Sequence, residues 1–405
     1  MTRSAAGADD SGTSFLFSPS ASYPQPFACL IDRNARLVHA WSNPAEQPNP
    51  STDPPTYLRG WNHVELDDDG NLLAMVPLQA LLKLAPDSTL LWKAPIPVHH
   101  DLGISRDGKI YALTEQPRSV PWRGGEHLLL DNAVTVLDSR DGHVLTVHSL
   151  YDVLTTCPEL RALIDEEIDR RRAAAPDSTA LLAELAEPHR RPAATRQALR
   201  LLRDLPGSPS DVLHANTIEM LNTHPYGLWK QGDVLVSLRN LNLIAAVDLT
   251  ARSVAWFFGP GELSGQHQPS ALPGGTVLVF DNGQAAGRSR VLEIDPATGE
   301  IIWQYTADPP QTLFSPLAGG CELLGNGHTL ITDAQAGRAI EVTRDGRTVW
   351  GVQIHTTAPT TARSRAEIYR MSATRASITD LGSDATARQL VQARLKCELT
   401  HRSTP

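Results

Sequence analysis

An apolar phrase, a polar turn and a second apolar phrase recur along this chain, most often closing on a tryptophan. FACLIDRNARLVHAW ends at Trp41, ALLKLAPDSTLLW at Trp92, LIAAVDLTARSVAW at Trp256, RVLEIDPATGEIIW at Trp303 and AIEVTRDGRTVW at Trp350. A sixth copy, AVTVLDSRDGHVLTV, reaches Val147 without one. Self-similarity of this kind marks a repeat architecture, in which each unit buries its apolar face against the next. A second hairpin phrase precedes five of the six: NHVELDDDGNLLAM, HDLGISRDGKIYAL, the run from His214 to Leu238, HQPSALPGGTVLVF and SPLAGGCELLGNGHTLIT. Each carries a glycine turn, which supplies the positive φ that a tight hairpin needs.

Two hairpins make four antiparallel strands, and the units end roughly 47 to 55 residues apart, close to the ~40–50 residues of a propeller blade. The spacing predicts an all-β fold, a six-bladed β-propeller with four-stranded antiparallel blades. The first outer hairpin, at 27–42, has no inner partner. A ring must close to remove its sheet edges. The missing inner strands are therefore expected from the C-terminal region, at RAEIYRMSA (365–373), with both termini closing the ring. The abundance of glycine (28) and proline (30) agrees with many turns and short elements.

The expected organisation is a flexible leader over 1–26, the propeller over 27–373 and a C-terminal tail over 374–405. Residues 151–210 interrupt the repeat. PELRALIDEEIDRRRAAA and TRQALRLLRDL have helical periodicity, so a helical insertion is expected on one face of the ring, as a cap, a dimer contact or a lid.

A formal net charge of −9 and the lack of a dense Lys/Arg run exclude a nucleic-acid footprint. The four cysteines, Cys29, Cys157, Cys321 and Cys397, show no CxxC spacing, so neither a zinc site nor a disulfide framework is expected. No run approaches the ~18 apolar residues that span a bilayer. The N-terminal stretch lacks the apolar segment of a secretory signal, and a cytoplasmic location with no membrane partner is expected.

The first strand of a propeller blade lines the axial channel. His63, His100, His214 and His267 stand near the starts of four such strands, with Ser315 at a comparable place in the next. One histidine there is ordinarily a packing residue; four on one axis point to chemistry. Imidazoles act as bases, nucleophiles or metal ligands, so convergence leaves the choice open. Arg239, in VSLRN one strand out from the axis, favours an anion over a divalent cation, because its planar fork matches sulfate, phosphate or carboxylate oxygens. Asn216, two residues after His214, is expected on the same strand face.

The segments LHANTIE, DVLVSLRNLNLIAAVD, the run from VAW to QH, and FDNG…SR resemble the bacterial arylsulfotransferases, most strongly over about 211–350. Those enzymes are six-bladed propellers that move a sulfuryl group between phenols without a nucleotide sulfate donor. The resemblance implies a ping-pong reaction through a sulfo-histidine intermediate at His267, with His214 and Asn216 binding the transferring group and Arg239 neutralising its oxygens. His100, or its neighbour His99, since either could face the channel, would bind sulfuryl or serve as acid/base for the phenol; His99 and His63 are expected to contact substrate. It implies an aryl sulfate donor, a phenolic acceptor, no cofactor and no metal. The histidine ring leaves two other readings open: a non-catalytic anion-binding or interaction propeller, and a metal-dependent lyase or hydrolase.

Overall fold

The computed structural model describes residues 12–19, 26–43, 60–175, 199, 202–203, 205, 207–356, 367–374 and 384–402. Among these, six antiparallel sheets form a ring, each ordered from an inner to an outer strand. The inner strands are Met371–Thr374, Val64–Leu66, Val98–Ile104, Ala215–Met220, His267–Ala271 and Gly320–Leu323, for blades one to six. The inner-hairpin turns are sharp where glycine allows it: Gly108 and Gly327 sit at φ of 75° and 83°.

Neighbouring blades pack face to face through alternating aliphatic residues. Leu235, Ile244 and Ala246 of blade four meet Val277, Val279, Leu292 and Ile294 of blade five. Fully burying one such side chain is worth about 1.5–3 kcal/mol.

The recurrent tryptophans staple each blade to the next. Trp92 donates its indole N–H to Ser139 O (3.1 Å), Trp256 to Pro296 O (2.9 Å), Trp303 to Arg344 O (2.8 Å) and Trp350 to Arg33 O (2.9 Å). Every acceptor lies in the outer-hairpin turn of the following blade. Each tryptophan also pairs with the residue just before a register shift in the third strand: Lys83, Ala246, Glu293 and Glu341. In blade one that pairing belongs to His39, opposite Leu30. His39 Nε2 contacts Pro86 O (2.7 Å), whereas the buried Trp41 Nε1 has no hydrogen-bond partner among the described residues. The sequence repeat, aligned on Trp41, is thus out of register by two residues there. In blade three the matching position is Thr146, opposite Val136, instead of Val147.

Ring closure differs from the expectation. Met371–Thr374 supplies only the innermost strand of blade one; the second strand is Ser14–Phe17, inside the stretch read as a flexible leader. Its SFLF sequence buries Phe15 and Phe17 completely, which accounts for the order. Residues 1–11 and 20–25 lie outside the described set. The C-terminal region is likewise built in where described. Asp384 caps a helix, Ala385–Arg394, and strand Leu395–Arg402 adds to Thr348–Thr356 as a fifth strand of blade six. Ala387, Val391 and Leu395 join Phe15, Phe27 and Trp350 in one core.

The insertion opens with helix α1, Leu150–Leu154, capped by Ser149, and continues as helix α2, Pro158–Ala174. Leu160, Ile164 and Ile168, one turn apart, pack into a core with Leu113, Val134, Val212 and Val236 of blades three and four. Arg171 bonds Glu167 (2.5 Å) and Ser208 O (2.8 Å), tying the helix to the returning chain. Most of the second helical run expected at 195–205 lies outside the described residues. Blade three also sends out a long hairpin, Lys109–Trp122 with Gly125–Asp138, which the repeat did not reveal.

Candidate active site on the propeller axis

Three inner strands break their regular pairing where they reach the axis. Register shifts fall between Val98 and Leu102, between Ala215 and Thr217, and between His267 and Ser270. At or beside these bulges His100, His214 and Gln268 adopt left-handed φ values of 61°, 48° and 50°. A non-glycine residue in that region costs about 1–3 kcal/mol and persists only where its surroundings hold it, most often at a functional site. The bulges re-aim side chains toward the axis.

His267 is fully buried. Its Nδ1 faces two acceptors, Gly265 O (3.1 Å) and Asn282 Oδ1 (2.8 Å). The Asn282 amide orientation is set independently, since Nδ2 donates to Ser315 O and Ala318 O. Two acceptors require a proton on Nδ1, which leaves the lone pair on Nε2. That Nε2 is buried and has no hydrogen-bond partner among the described residues. Burial, reinforced by the charges of Arg239 and His214, drives the His267 pKa down to about 3 despite the Asn282 contact. The ring is neutral at neutral pH, with its Nε2 lone pair unengaged.

His214 pairs through Nδ1 with Asp211 Oδ2 (2.6 Å). Burial alone would raise the Asp211 carboxyl, but His214, Arg203 and Arg171 together hold it below the usual carboxylate range. The His100 ring lies 4.9 Å from that of His214, and its Nδ1 is 2.7 Å from His99 Nδ1. Burial first, then His214 and His99, keep His100 well below an ordinary imidazole. Arg239 opens a single 3-10 turn, Arg239–Leu241, where strand Val234–Leu238 ends. Its backbone N–H donates to His214 O (3.1 Å), and Nη1 to Asn240 Oδ1 (3.1 Å). Its Nε is buried without a hydrogen-bond partner among the described residues, and burial lowers its pKa.

The remaining expected site residues are placed differently. Asn216 is fully buried and donates Nδ2 to Gln266 O (2.8 Å), tying blade four to the residue before His267. The bulge at Ala215–Thr217 breaks the two-residue alternation that would have set it beside His214. His99 sits behind His100, with Nε2 at 3.8 Å from Glu115, and burial lowers its pKa to about 4. Glu115 is held by Arg203 from the insertion and by Asn132. His63 reaches the axis, but its Nε2 lies 3.1 Å from Glu65 and 3.3 Å from Asp101. Ser315 is wholly buried, its hydroxyl within reach of Ala318 O (2.8 Å) or Gln335 Oε1 (2.6 Å) and accepting Ala334 N–H.

Sequence reasoning missed Asp211, Asn282 and Tyr369. Tyr369 precedes the closing strand, and its ring lies 6.4, 5.9 and 6.2 Å from those of His63, His100 and His267. Its hydroxyl donates to Asn216 O (3.3 Å).

His63, Glu65 and Asp101 offer ligand atoms within 4.8 Å of one another, a set that a divalent cation takes. The Arg370 guanidinium lies against it, 3.4 Å from Asp101 and 3.7 Å from Glu65. Asp101 Oδ1 also accepts Leu102 N–H at 3.0 Å. A metal would have to displace Arg370, so this donor set fits one poorly.

The model of the arylsulfotransferase (ASST) family matches residues 66–355, a span that holds His99, His100, His214, Asn216, Arg239 and His267 and leaves out His63 and Tyr369. No curated protein matches the chain in sequence. Among solved structures, a protein of unknown function from Bacteroides caccae is 13% identical, with a TM-score of 0.48 over 90% of this chain and 99% of that one. A virginiamycin B lyase from Staphylococcus aureus with quinupristin is 9% identical, with a TM-score of 0.43 over 84% and 85%. AztD from Citrobacter koseri is 10% identical, with a TM-score of 0.42 over 89% and 98%. Likeness at this level says nothing about chemistry.

Proposed function

The chain belongs to the arylsulfotransferase family, and on that premise we propose that it moves a sulfuryl group from an aryl sulfate to a phenol in two half-reactions through sulfo-His267. The observation that carries this reading is the His267 ring. Its Nδ1–H is held by Gly265 and Asn282, and its Nε2 is buried, unpartnered and unprotonated.

In the first half-reaction the Nε2 lone pair attacks sulfur. An N–S bond forms as the bond from sulfur to the aryl oxygen breaks, and the oxygen leaves with that electron pair. His214, hydrogen-bonded to Asp211, gives the departing oxygen a proton. In the second half-reaction the acceptor phenol returns a proton to His214, its oxygen attacks sulfur, and the N–S electrons return to His267. Sulfuryl transfer, like phosphoryl transfer, disperses charge over the oxygens of a loose transition state, so positioning and cations carry catalysis. Arg239 supplies the cation and an unspent N–H donor. His100, edge-on to His214, extends the proton path, and Asn216, His99 and Asn282 hold the reacting rings in place.

The donor and acceptor are small molecules. No helix among the described residues is long and apolar enough to cross a membrane. Initial rates measured with p-nitrophenyl sulfate and phenol varied together test the scheme. Parallel double-reciprocal lines are expected of a covalent intermediate released between substrates. Intersecting lines would mean direct transfer in a ternary complex and would overturn the two-step scheme.

A further inference from the structure

The helical insertion that interrupts the repeat reaches the histidines of the axis. Its returning arm is seated by packing: Leu199 and Leu202, with Leu205 beside them, lie against Leu78, Leu128 and Leu130. Leu128, Leu130 and Asn132 alternate along one strand and so share a face. Arg203 follows Leu202 and meets Glu115, the residue opposite Asn132 in the neighbouring strand. The contact is a two-pronged fork, in which Arg203 Nε donates to Glu115 Oε2 (2.9 Å) and Nη2 to Oε1. Asn132 Nδ2 also donates to Glu115 Oε1 (3.1 Å), while its Oδ1 accepts Ala215 N–H (2.7 Å), next to His214. Burial alone would raise the Glu115 carboxyl, but the charge of Arg203 holds it below the usual range. A fixed, ionised carboxylate thus stands behind His99, 3.8 Å from its Nε2.

That carboxylate governs where two protons sit. His99 and His100 are both neutral at neutral pH, chiefly through burial. A neutral imidazole carries one N–H and one lone pair. The two Nδ1 atoms are 2.7 Å apart, so one ring donates to the other. If His99 were the donor, its Nε2 lone pair would face the Glu115 charge. In the opposite order Nε2 carries an N–H toward the carboxylate, the attractive orientation where little water screens it. At His267 the strongest nearby charge is the Arg239 cation, and a bare nitrogen is favoured instead. His99 therefore accepts on Nδ1, and His100 donates from Nδ1 and keeps its lone pair on Nε2.

We propose that Arg203 and Glu115 are positioning residues that set the tautomer of His99 and, through it, that of His100, so that the insertion completes the active site instead of merely covering it. The role rests on the sulfuryl-transfer reading. With its lone pair on Nε2, His100 accepts the proton that the acceptor phenol passes through His214, and returns it by the same route to the next departing oxygen. Neither Arg203 nor Glu115 touches the transferring group.

Nitrogen-15 NMR of the full chain, labelled at histidine, distinguishes protonated from bare ring nitrogens and needs no turnover. Wild type should show His99 protonated on Nε2 and His100 on Nδ1, each ring assigned through its backbone connections. Glu115→Gln removes the charge and should reverse both. Arg203→Met, which leaves Glu115 buried without its cation and so protonated, should do the same, whereas Arg203→Lys should keep the wild-type pattern. In Glu115→Gln, transfer from sulfo-His267 to phenol should fall about 10²-fold, and by less to p-cyanophenol, whose proton leaves more readily. A purely structural defect would slow both acceptors alike. The opposite tautomers in wild type, which decide the matter even if no variant folds, an unchanged spectrum in folded Glu115→Gln, or equal losses with the two phenols would each overturn the proposal. The expected tautomers in a protein that transfers no sulfuryl group would uphold the tautomer assignment and overturn the transfer reading.

Discussion

Replacing Asn282 by alanine probes how the structure prepares its nucleophile. Asn282 touches no transferring atom; it positions His267 by accepting the Nδ1 proton (2.8 Å). In the wild type the alternative tautomer forfeits one net hydrogen bond, about 0.5–1.5 kcal/mol, and strands an N–H at the buried Nε2, about 1–3 kcal/mol. The Nε2 lone pair is thus favoured by about 1.5–4.5 kcal/mol. Without Asn282 the Gly265 carbonyl still holds Nδ1 at 3.1 Å, so the bias falls by about 0.5–1.5 kcal/mol instead of vanishing. The reactive tautomer loses at most about half its population, so the decrease of about 5- to 30-fold expected in kcat/KM comes chiefly from lost positioning of the ring. The substitution also leaves Ser315 O without its Asn282 donor, while Ala318 O keeps the Ser315 hydroxyl at 2.8 Å. One orphaned carbonyl costs about 1–3 kcal/mol, and Tm should fall by a few degrees. Asn282→Asp separates the two effects. Its carboxylate still accepts from Nδ1, yet its charge raises the His267 pKa and shifts the acid limb of the rate profile upward. Wild-type kcat/KM, within twofold, in a folded Asn282→Ala protein would refute the positioning role of Asn282.

Three further outcomes follow from the geometry. Arg239→Lys keeps the charge but loses the planar fork, and should lower sulfuryl transfer from p-nitrophenyl sulfate by about 10²–10³-fold with the fold intact by circular dichroism. Loss below tenfold would place Arg239 away from the reacting oxygens. Trp303→Phe removes one blade-to-blade hydrogen bond, to Arg344 O, and should cost about 0.5–1.5 kcal/mol in denaturant unfolding, whereas Trp41→Phe should cost less because its indole N–H is unpaired. Equal losses would contradict the staple. Below pH 6.5 the unfolded chain protonates its histidines, while His267 and His99 stay neutral in the fold down to about 3 and about 4. Their stabilisation is fully present above pH 6.5 and drains on acidification by about 1.4 kcal/mol per pH unit for each residue. Unfolding free energies of His267→Gln should therefore fall less steeply between pH 6.5 and 4.5 than those of wild type, and identical slopes would sink the assignment.

The propeller was legible because its signals are local. Alternating apolar residues, a glycine turn and a closing tryptophan each act within one hairpin. Register was less legible: blade one aligns on Trp41 by eye, but the staple position is held by His39. Order in the leader escaped notice because SFLF is too short to read as a strand until Phe27–Asp32 and Met371–Thr374 flank it. The histidines announced themselves by recurring at inner-strand starts, whereas the partners that tune them did not. FDNG reads as a turn capped by its own side chains, and Asp281 does play that part, accepting Ser264 N–H and Gly283 N–H. That leaves Asn282 free for His267, a division of labour invisible in four letters. Asn216 was misplaced because period-two alternation assumes a regular strand, and a bulge intervenes. Tyr369 meets its histidine neighbours only through ring closure, which no local pattern encodes.

The covalent step is the claim on which the functional account turns. Intact-protein mass after brief incubation with p-nitrophenyl sulfate and no acceptor, on wild type and His267→Ala, tests it most directly. The account predicts a gain of about 80 Da, one SO₃ group, on wild type alone, with a stoichiometric burst of p-nitrophenol and loss of the adduct when phenol is added. An unmodified wild-type protein that still turns over donor and acceptor, or an adduct that persists in His267→Ala, would contradict it.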